Sequence, residues 1–255
     1  MLIVSLVLVA AYGFLLLYAL IHGAAFVFEP PVPSYRDGEA LIKVKGADGV
    51  LLSALFLKNP ESRYTFFYFH GNGEDLGDCL STMEMMRAKG YSVFSFDYRG
   101  YGTTPGVPQE ANVYADAASA LEYLTTKEGV DLGSIILYGR SLGSGPAVEM
   151  GTRYQVGGVI LEGGFISSFQ VVTCFPLIPF DFFKNLKKIG RLDCPLLIIH
   201  AEKDKVVGFK HGEKLYERAK EPKFFYSVSE AGHNDLIERA GGLYWKVLED
   251  FIRAI

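Results

Sequence analysis

A chain of 255 residues, 49% hydrophobic with a net charge of −4, is long enough to close one α/β domain around a sizeable core and leaves little room for a second module. Its acidic balance gives no electrostatic footprint for nucleic acid. Three scattered cysteines, Cys79, Cys174 and Cys194, lack metal-ligand spacing, and there is no phosphate-cradling or dinucleotide fingerprint, so no metal and no cofactor are expected.

From Leu2 to Ile21 no residue is charged, and apolar character continues to Phe28. As a helix, twenty-odd such residues cover about 30 Å, the hydrocarbon thickness of a bilayer. Pro30-Pro31-Val32-Pro33 then stops the helix. Two readings stand: a retained single-pass anchor, with the membrane as partner, or a cleaved signal peptide, for which Gly23-Ala24-Ala25 offers small residues. The missing basic n-region and the length of the apolar run argue for the anchor. Arg36, Lys43 and Lys45 follow the span and no Lys or Arg precedes it, which by the positive-inside tendency puts the remainder on the cytoplasmic side, unless those residues already belong to the folded domain. The expected organisation is an anchor or signal segment at 1–28, a Pro-containing linker at 29–39 and a folded domain at 40–255.

Strands are expected near 40–46 and 50–57, joined by turn chemistry at Ala47-Asp48-Gly49. Strand, helix and strand alternate thereafter, which predicts a mostly parallel sheet covered by helices on both faces. Tyr64 to Phe69 reads as a central strand ending in His70-Gly71-Asn72-Gly73-Glu74. Such a Gly-rich loop lets its backbone approach a reacting group closely.

The apolar strand Ser134-Ile135-Ile136-Leu137-Tyr138 leads into Gly139-Arg140-Ser141-Leu142-Gly143, and a small, helix-compatible run from Ser144 to Met150 comes next. Gly-x-Ser-x-Gly between a buried strand and a helix is the nucleophile elbow of α/β-hydrolases. The serine sits in a strained turn, and a Cβ at either flanking position would collide with the neighbouring strand or helix. In this geometry one oxyanion donor is the N–H of Leu142, and the Asn72 backbone N–H is the expected second.

The remaining members of a triad should come as acid, then histidine. Pro195 to Ala201 is a continuous apolar strand, as a sheet buried on both faces demands, and Asp204 lies just past its C-terminal end. Glu162 also ends a strand and is a rival for the acid, with Glu202 and Asp97 behind it. Of five histidines, His233 lies in the loop after Phe224-Phe225-Tyr226-Ser227-Val228 and is the expected base. His70 is expected to brace its loop and His200 to sit in the core. Between the strand ending at Glu162 and that beginning at Pro195, residues 163–191 lie where hydrolases insert a cap. The segment is strongly aromatic, and its side chains either pack on the domain or, as expected for Phe175 and Phe180, line a substrate pocket, or touch a bilayer.

Phe69-His70-Gly71-Asn72-Gly73, Phe96-Asp97-Tyr98-Arg99-Gly100-Tyr101-Gly102, Asn112-Val113-Tyr114-Ala115-Asp116, the elbow and Gly232-His233-Asn234-Asp235 together resemble the membrane-associated branch of the α/β-hydrolase-domain proteins, over residues 40–255. The resemblance implies Ser141, Asp204 and His233 as the triad, and substrates among protein acyl thioesters, lysophospholipids or monoacylglycerols. The protein depalmitoylases of this group begin with a cysteine cluster that is itself acylated, whereas no cysteine precedes Cys79 here. The expected function is a membrane-anchored serine hydrolase that cleaves acyl esters or thioesters through an acyl-enzyme. The alternatives are a serine peptidase on the same fold and a non-catalytic hydrolase-like binding protein. The sequence leaves the oligomeric state open.

Overall fold

The structure, a computed structural model, describes residues 2–38, 40–173 and 179–255. Among these, eight strands form one sheet: β1 Ile42–Lys45, β2 Leu51–Leu57, β3 Thr65–Phe69, β4 Ser92–Phe96, β5 Ile135–Arg140, β6 Gly158–Glu162, β7 Leu196–Ala201 and β8 Lys223–Val228. Their spatial order is β1-β2-β4-β3-β5-β6-β7-β8. The pairs β1–β2 and β2–β4 are antiparallel, and all other neighbours run parallel. The helices are α1 Leu2–Val27, α2 Leu76–Ala88, α3 Glu110–Thr126, α4 Ser144–Arg153, α5 Ser168–Thr173, α6 Asn185–Lys188, α7 Lys210–Arg218, α8 Leu236–Ala240 and α9 Gly242–Arg253.

The central strands are buried at nearly every position and mostly apolar because successive side chains feed two separate cores. Phe66 and Tyr68 of β3, with Ile136 and Tyr138 of β5, pack against Met83 and Met86 of α2 and Leu248 and Phe251 of α9. Phe67, Phe69 and Leu137 face the other way, onto Ala117 and Leu121 of α3 and Ala147 and Val148 of α4.

From β3 the chain passes through α2 to β4 on one side, and then through α3 to β5 on the other. Beyond the carboxyl ends of β3 and β5 this reversal opens a crevice, the topological switch point where α/β sheets bind ligands. The loop at His70–Glu74 and the turn at Ser141 both lie there.

Helix α1 is long and apolar enough to cross a membrane, and most of it is exposed. One face of its last turn is not, although Phe26 stays 60% exposed. Gly23 packs against Phe169 and Phe182, while Val27 and the following Phe28 are buried in the core beside α3 and α4. The segment after the helix is also tied down: the Ser34 N–H donates to Asp75 Oδ2 at 2.7 Å, and the Tyr35 hydroxyl donates to Asp97. Asp75 in turn caps α2, accepting from the Gly77 and Asp78 N–H groups at 2.9 and 3.2 Å.

Phe183 holds the cap region to the sheet. It is fully buried, with ring centroids 5.7, 5.6 and 6.5 Å from those of Phe28, Tyr114 and Phe165. A Cβ on Gly145 of α4 would lie 2.2 Å from its ring, so this glycine makes room for it. Phe165, Ile166 and Ile189 are also core, whereas Val172 is 83% exposed. Packing and exposure thus coexist along the segment. Phe183→Ala should cost about 3–5 kcal/mol, the range for emptying a buried aromatic site. Val172→Ser should stay within about 0.5 kcal/mol. Urea unfolding of both variants checks the contrast, and equal losses would place Phe183 outside the core.

Candidate active site

The turn that closes β5 is strained as the glycine pattern requires. Ser141 has φ +49, a left-handed conformation that a non-glycine residue adopts at a cost of about 1–3 kcal/mol. A Cβ on Gly143 would lie 2.0 Å from the Phe69 carbonyl oxygen, and one on Gly139 would lie 2.5 Å from that of Gly143. Backbone packed this closely throws the serine side chain forward off the end of the sheet.

His233, in the loop between β8 and α8, meets Ser141 there. Its Nε2 is 2.9 Å from Ser141 Oγ, and its Nδ1 is 2.6 Å from Asp204 Oδ2, in the loop after β7. A carboxylate can only accept, so Nδ1 carries the proton and Nε2 is left to accept from the serine hydroxyl. The second Asp204 oxygen, Oδ1, accepts from the Val206 and Val207 N–H groups at 2.9 and 2.8 Å. Burial pushes this carboxyl up, but the bonds from His233, Val207 and Val206 outweigh burial and hold it below its ordinary value.

The rival carboxylates are engaged elsewhere. Glu162 Oε2 accepts from the hydroxyls of Tyr138 and Tyr244 at 2.6 and 2.5 Å. Glu202 accepts from the Ser227 hydroxyl at 2.9 Å. Asp97 accepts the Leu76 N–H at 2.9 Å. His70 is buried under the glycine-rich loop, with Nδ1 2.9 Å from the Gly71 carbonyl to which it donates, and His200 Nε2 donates to the Val207 carbonyl at 2.8 Å.

Asn72 and Leu142 line the same cavity as Ser141, a space of about 460 Å³. The Asn72 side chain is pinned, its Oδ1 accepting from the Tyr101 hydroxyl at 2.6 Å and from the Glu29 N–H at 2.9 Å. The rest of the wall is mostly apolar, with Val27 from the end of α1, Phe165, Phe169 and Val207, and Glu29, Ser168 and Thr173 are its polar members. Phe180 is absent from the described lining and reaches it only through Phe169, at a ring separation of 6.2 Å. Phe175 lies outside the described residues.

Sequence reasoning missed one group of residues behind the serine. Arg140 pairs with Glu74, donates to Asn234 Oδ1 at 3.0 Å, and has its Nε 3.3 Å from Glu162. The signal was an arginine at the end of a buried strand, which requires carboxylate partners.

A serine presented on a strained strand-to-helix turn, at the switch point of a mostly parallel sheet, defines the α/β-hydrolase fold, and the protein is a serine hydrolase. Residues 60–179 match the family described as serine aminopeptidase, S33. More specifically, the chain belongs to the alpha/beta hydrolase domain-containing protein 17 family. It is 34% identical over 223 residues to protein 17B of Homo sapiens, covering 85% of this chain and 76% of that protein. It is 40% identical over 209 residues to protein 17C of Xenopus laevis, covering 78% of this chain and 66% of that protein. An esterase of Pyrococcus furiosus shares the fold with a TM-score of 0.74 at 18% identity, over 89% of this chain and 99% of that one. A Paleococcus ferrophilus monoacylglycerol lipase does so with a TM-score of 0.61 at 18% identity, over 79% of this chain and 98% of that one.

Beside the glycine-rich loop, Asp97 generates a pH dependence. Burial pushes its carboxyl up to about 7, although bonds from Tyr35 and the Leu76 N–H pull the other way. Between the ordinary carboxylate value and about 7 the folded state holds a proton that the unfolded chain releases, so stability falls as pH rises through that window and then levels off. Asp97→Asn keeps an acceptor and removes the titration. Its stability relative to the unaltered protein should rise from pH 4 to pH 7 and be flat above, as followed by urea unfolding at each pH. A constant difference would mean that Asp97 stays ionised throughout.

Proposed function

We propose that this chain is a membrane-anchored serine hydrolase that cleaves acyl esters or thioesters. The observation carrying this reading is the apolar cavity of about 460 Å³ that contains Ser141 in its wall and receives Val27 from the end of α1. Ser141 Oγ attacks the acyl carbonyl while His233 Nε2 takes its proton, and Asp204 holds the imidazole tautomer and stabilises the imidazolium. The Leu142 and Asn72 backbone N–H groups receive the oxyanion. Collapse of the tetrahedral intermediate breaks the bond to the alcohol or thiol, which takes the proton back from His233. Water, activated by the same histidine, then releases the acid from the acyl-enzyme. The docked last turn of α1 supports a retained helix over a cleaved signal, because cleavage near Ala25 would remove the packing of Gly23 and Ala24.

A second reading, aminopeptidase activity, is favoured by the family match at residues 60–179 and by Glu29, a carboxylate-bearing residue that lines the same cavity and could receive a peptide amino group. Matched ester and aminoacyl-amide substrates separate the two.

Ser141→Ala should abolish turnover and labelling by a fluorophosphonate probe. Asp204→Asn should lower kcat by about 10⁴ through loss of the productive tautomer, while Glu162→Gln should cost far less. A reversed ranking would move the acid to the end of β6.

Chain length tests the substrate class. Each methylene buried in the cavity is worth about 0.8 kcal/mol, so kcat/KM for p-nitrophenyl esters should climb from acetate to medium-chain acids and then level off. Acetate as the best substrate would defeat the acyl reading.

A further inference from the structure

Arg140 is the last residue of β5 and stands directly before Ser141. Its side chain is mostly buried and its guanidinium reaches three partners, each on a different active-site segment. Glu74 belongs to the glycine-rich loop, where its Oε2 also accepts the Gly71 N–H at 2.9 Å, one residue before Asn72. Asn234 is the residue after His233 and accepts from Nη2 at 3.0 Å. Glu162 ends β6 immediately before Gly163, whose backbone lies against the His233 ring: a Cβ there would be 3.0 Å from Cε1.

We propose that Arg140 is a positioning residue, one planar cation that holds the Asn72 loop and the His233 loop in register with Ser141 and neutralises the carboxylates next to the imidazole. This rests on the triad assigned under Proposed function. The geometry demands the guanidinium fork: a lysine ammonium is a single point of charge and cannot span partners on three segments. Loss of the cation would leave Glu74 and Glu162 uncompensated around a small polar cavity that His233 also lines. The other titratable groups on that cavity, Tyr68, Asp78 and Cys79, and the Tyr138 and Tyr244 hydroxyls on Glu162, supply no positive charge to replace it. Two carboxylates without their cation would draw protons towards that cavity, so the acidic side of the rate profile registers the loss.

The test uses the full chain in detergent micelles with a p-nitrophenyl acyl ester. Arg140→Gln should lower kcat by about 10²-fold, the cost of a misplacement near 1 Å, with little change in KM, and should move the acidic limb of the kcat/KM profile to higher pH. Added methylguanidinium should recover part of the loss. Arg140→Lys keeps the charge, so kcat should fall while the acidic limb stays in place. Wild-type kcat and an unmoved limb in Arg140→Gln would overturn the proposal. If Arg140→Gln does not fold, Asn234→Ala decides the matter, because it removes one arm of the brace and leaves both ion pairs intact. A lower kcat with an unchanged limb supports the brace, and unchanged kcat overturns it. Ser141→Ala, assayed in parallel, separates the two failures: residual turnover there sinks the triad itself, whereas an inactive Ser141→Ala beside a fully active Arg140→Gln sinks only the role of Arg140.

Discussion

Backbone contact between the end of β3 and the turn after β5 governs the rest of the molecule. Gly143 approaches the Phe69 carbonyl so closely that no Cβ fits between them, and this contact puts Ser141, Leu142 and the loop carrying Asn72 around one cavity. It constrains the next helix as well. Helix α4 must start within touching distance of the sheet, so its first two turns, Ser144 to Gly151, are buried and dominated by small residues. One of them, Gly145, accepts the ring of Phe183, and Phe183 in turn receives Phe28 from the chain leaving α1. A single line of contacts runs from the serine turn, through the cap, to the apolar helix.

That line changes how the segment after α1 is understood. From sequence, 29–39 reads as a linker. In the structure the Glu29 N–H donates to Asn72 Oδ1, Ser34 bonds to the residue that caps α2, and Tyr35 bonds to Asp97. Residues 29–35 are therefore strapped across the glycine-rich loop and brace one side of it. A helix held in a bilayer would, through Phe28 and Glu29, be mechanically continuous with the proposed oxyanion donor at Asn72.

The sheet and the serine turn were legible because both rest on short-range rules. Parallel strands buried on both faces must be continuously apolar, and a turn as tight as that at Ser141 tolerates only glycine on its flanks. The meeting of Ser141, Asp204 and His233 was legible through chain order, since each comes after a strand and successive parallel strands end on the same side. The brace around Arg140 was not. Two of its three partners stand 66 residues before it and 94 after it, and no local pattern couples such positions. The aromatic cap was ambiguous for a different reason. Composition says that Phe180 and Phe183 avoid water, but only three-dimensional packing decides that Phe183 fills the core while Phe180 lies on Phe169.

The choice between two carboxylates at adjacent strand ends is set by competition for donors. Glu162 ends β6 and Asp204 lies just beyond β7, and either position can serve a histidine in this fold. Glu162 is surrounded by donors it cannot leave: two buried tyrosine hydroxyls on Oε2, and Arg140 beside Oε1. Releasing it to reach His233 would take from the two hydroxyls their shared carboxylate acceptor and from Arg140 one of its two carboxylates, at a cost of about 1–3 kcal/mol for each buried group left short of a partner. Asp204 meets a different set. Two backbone N–H groups satisfy Oδ1 alone, and Oδ2 remains free to receive the imidazole. The tyrosines and the arginine therefore act on the proposed relay by exclusion, tying up one carboxylate so that the other is the histidine's partner.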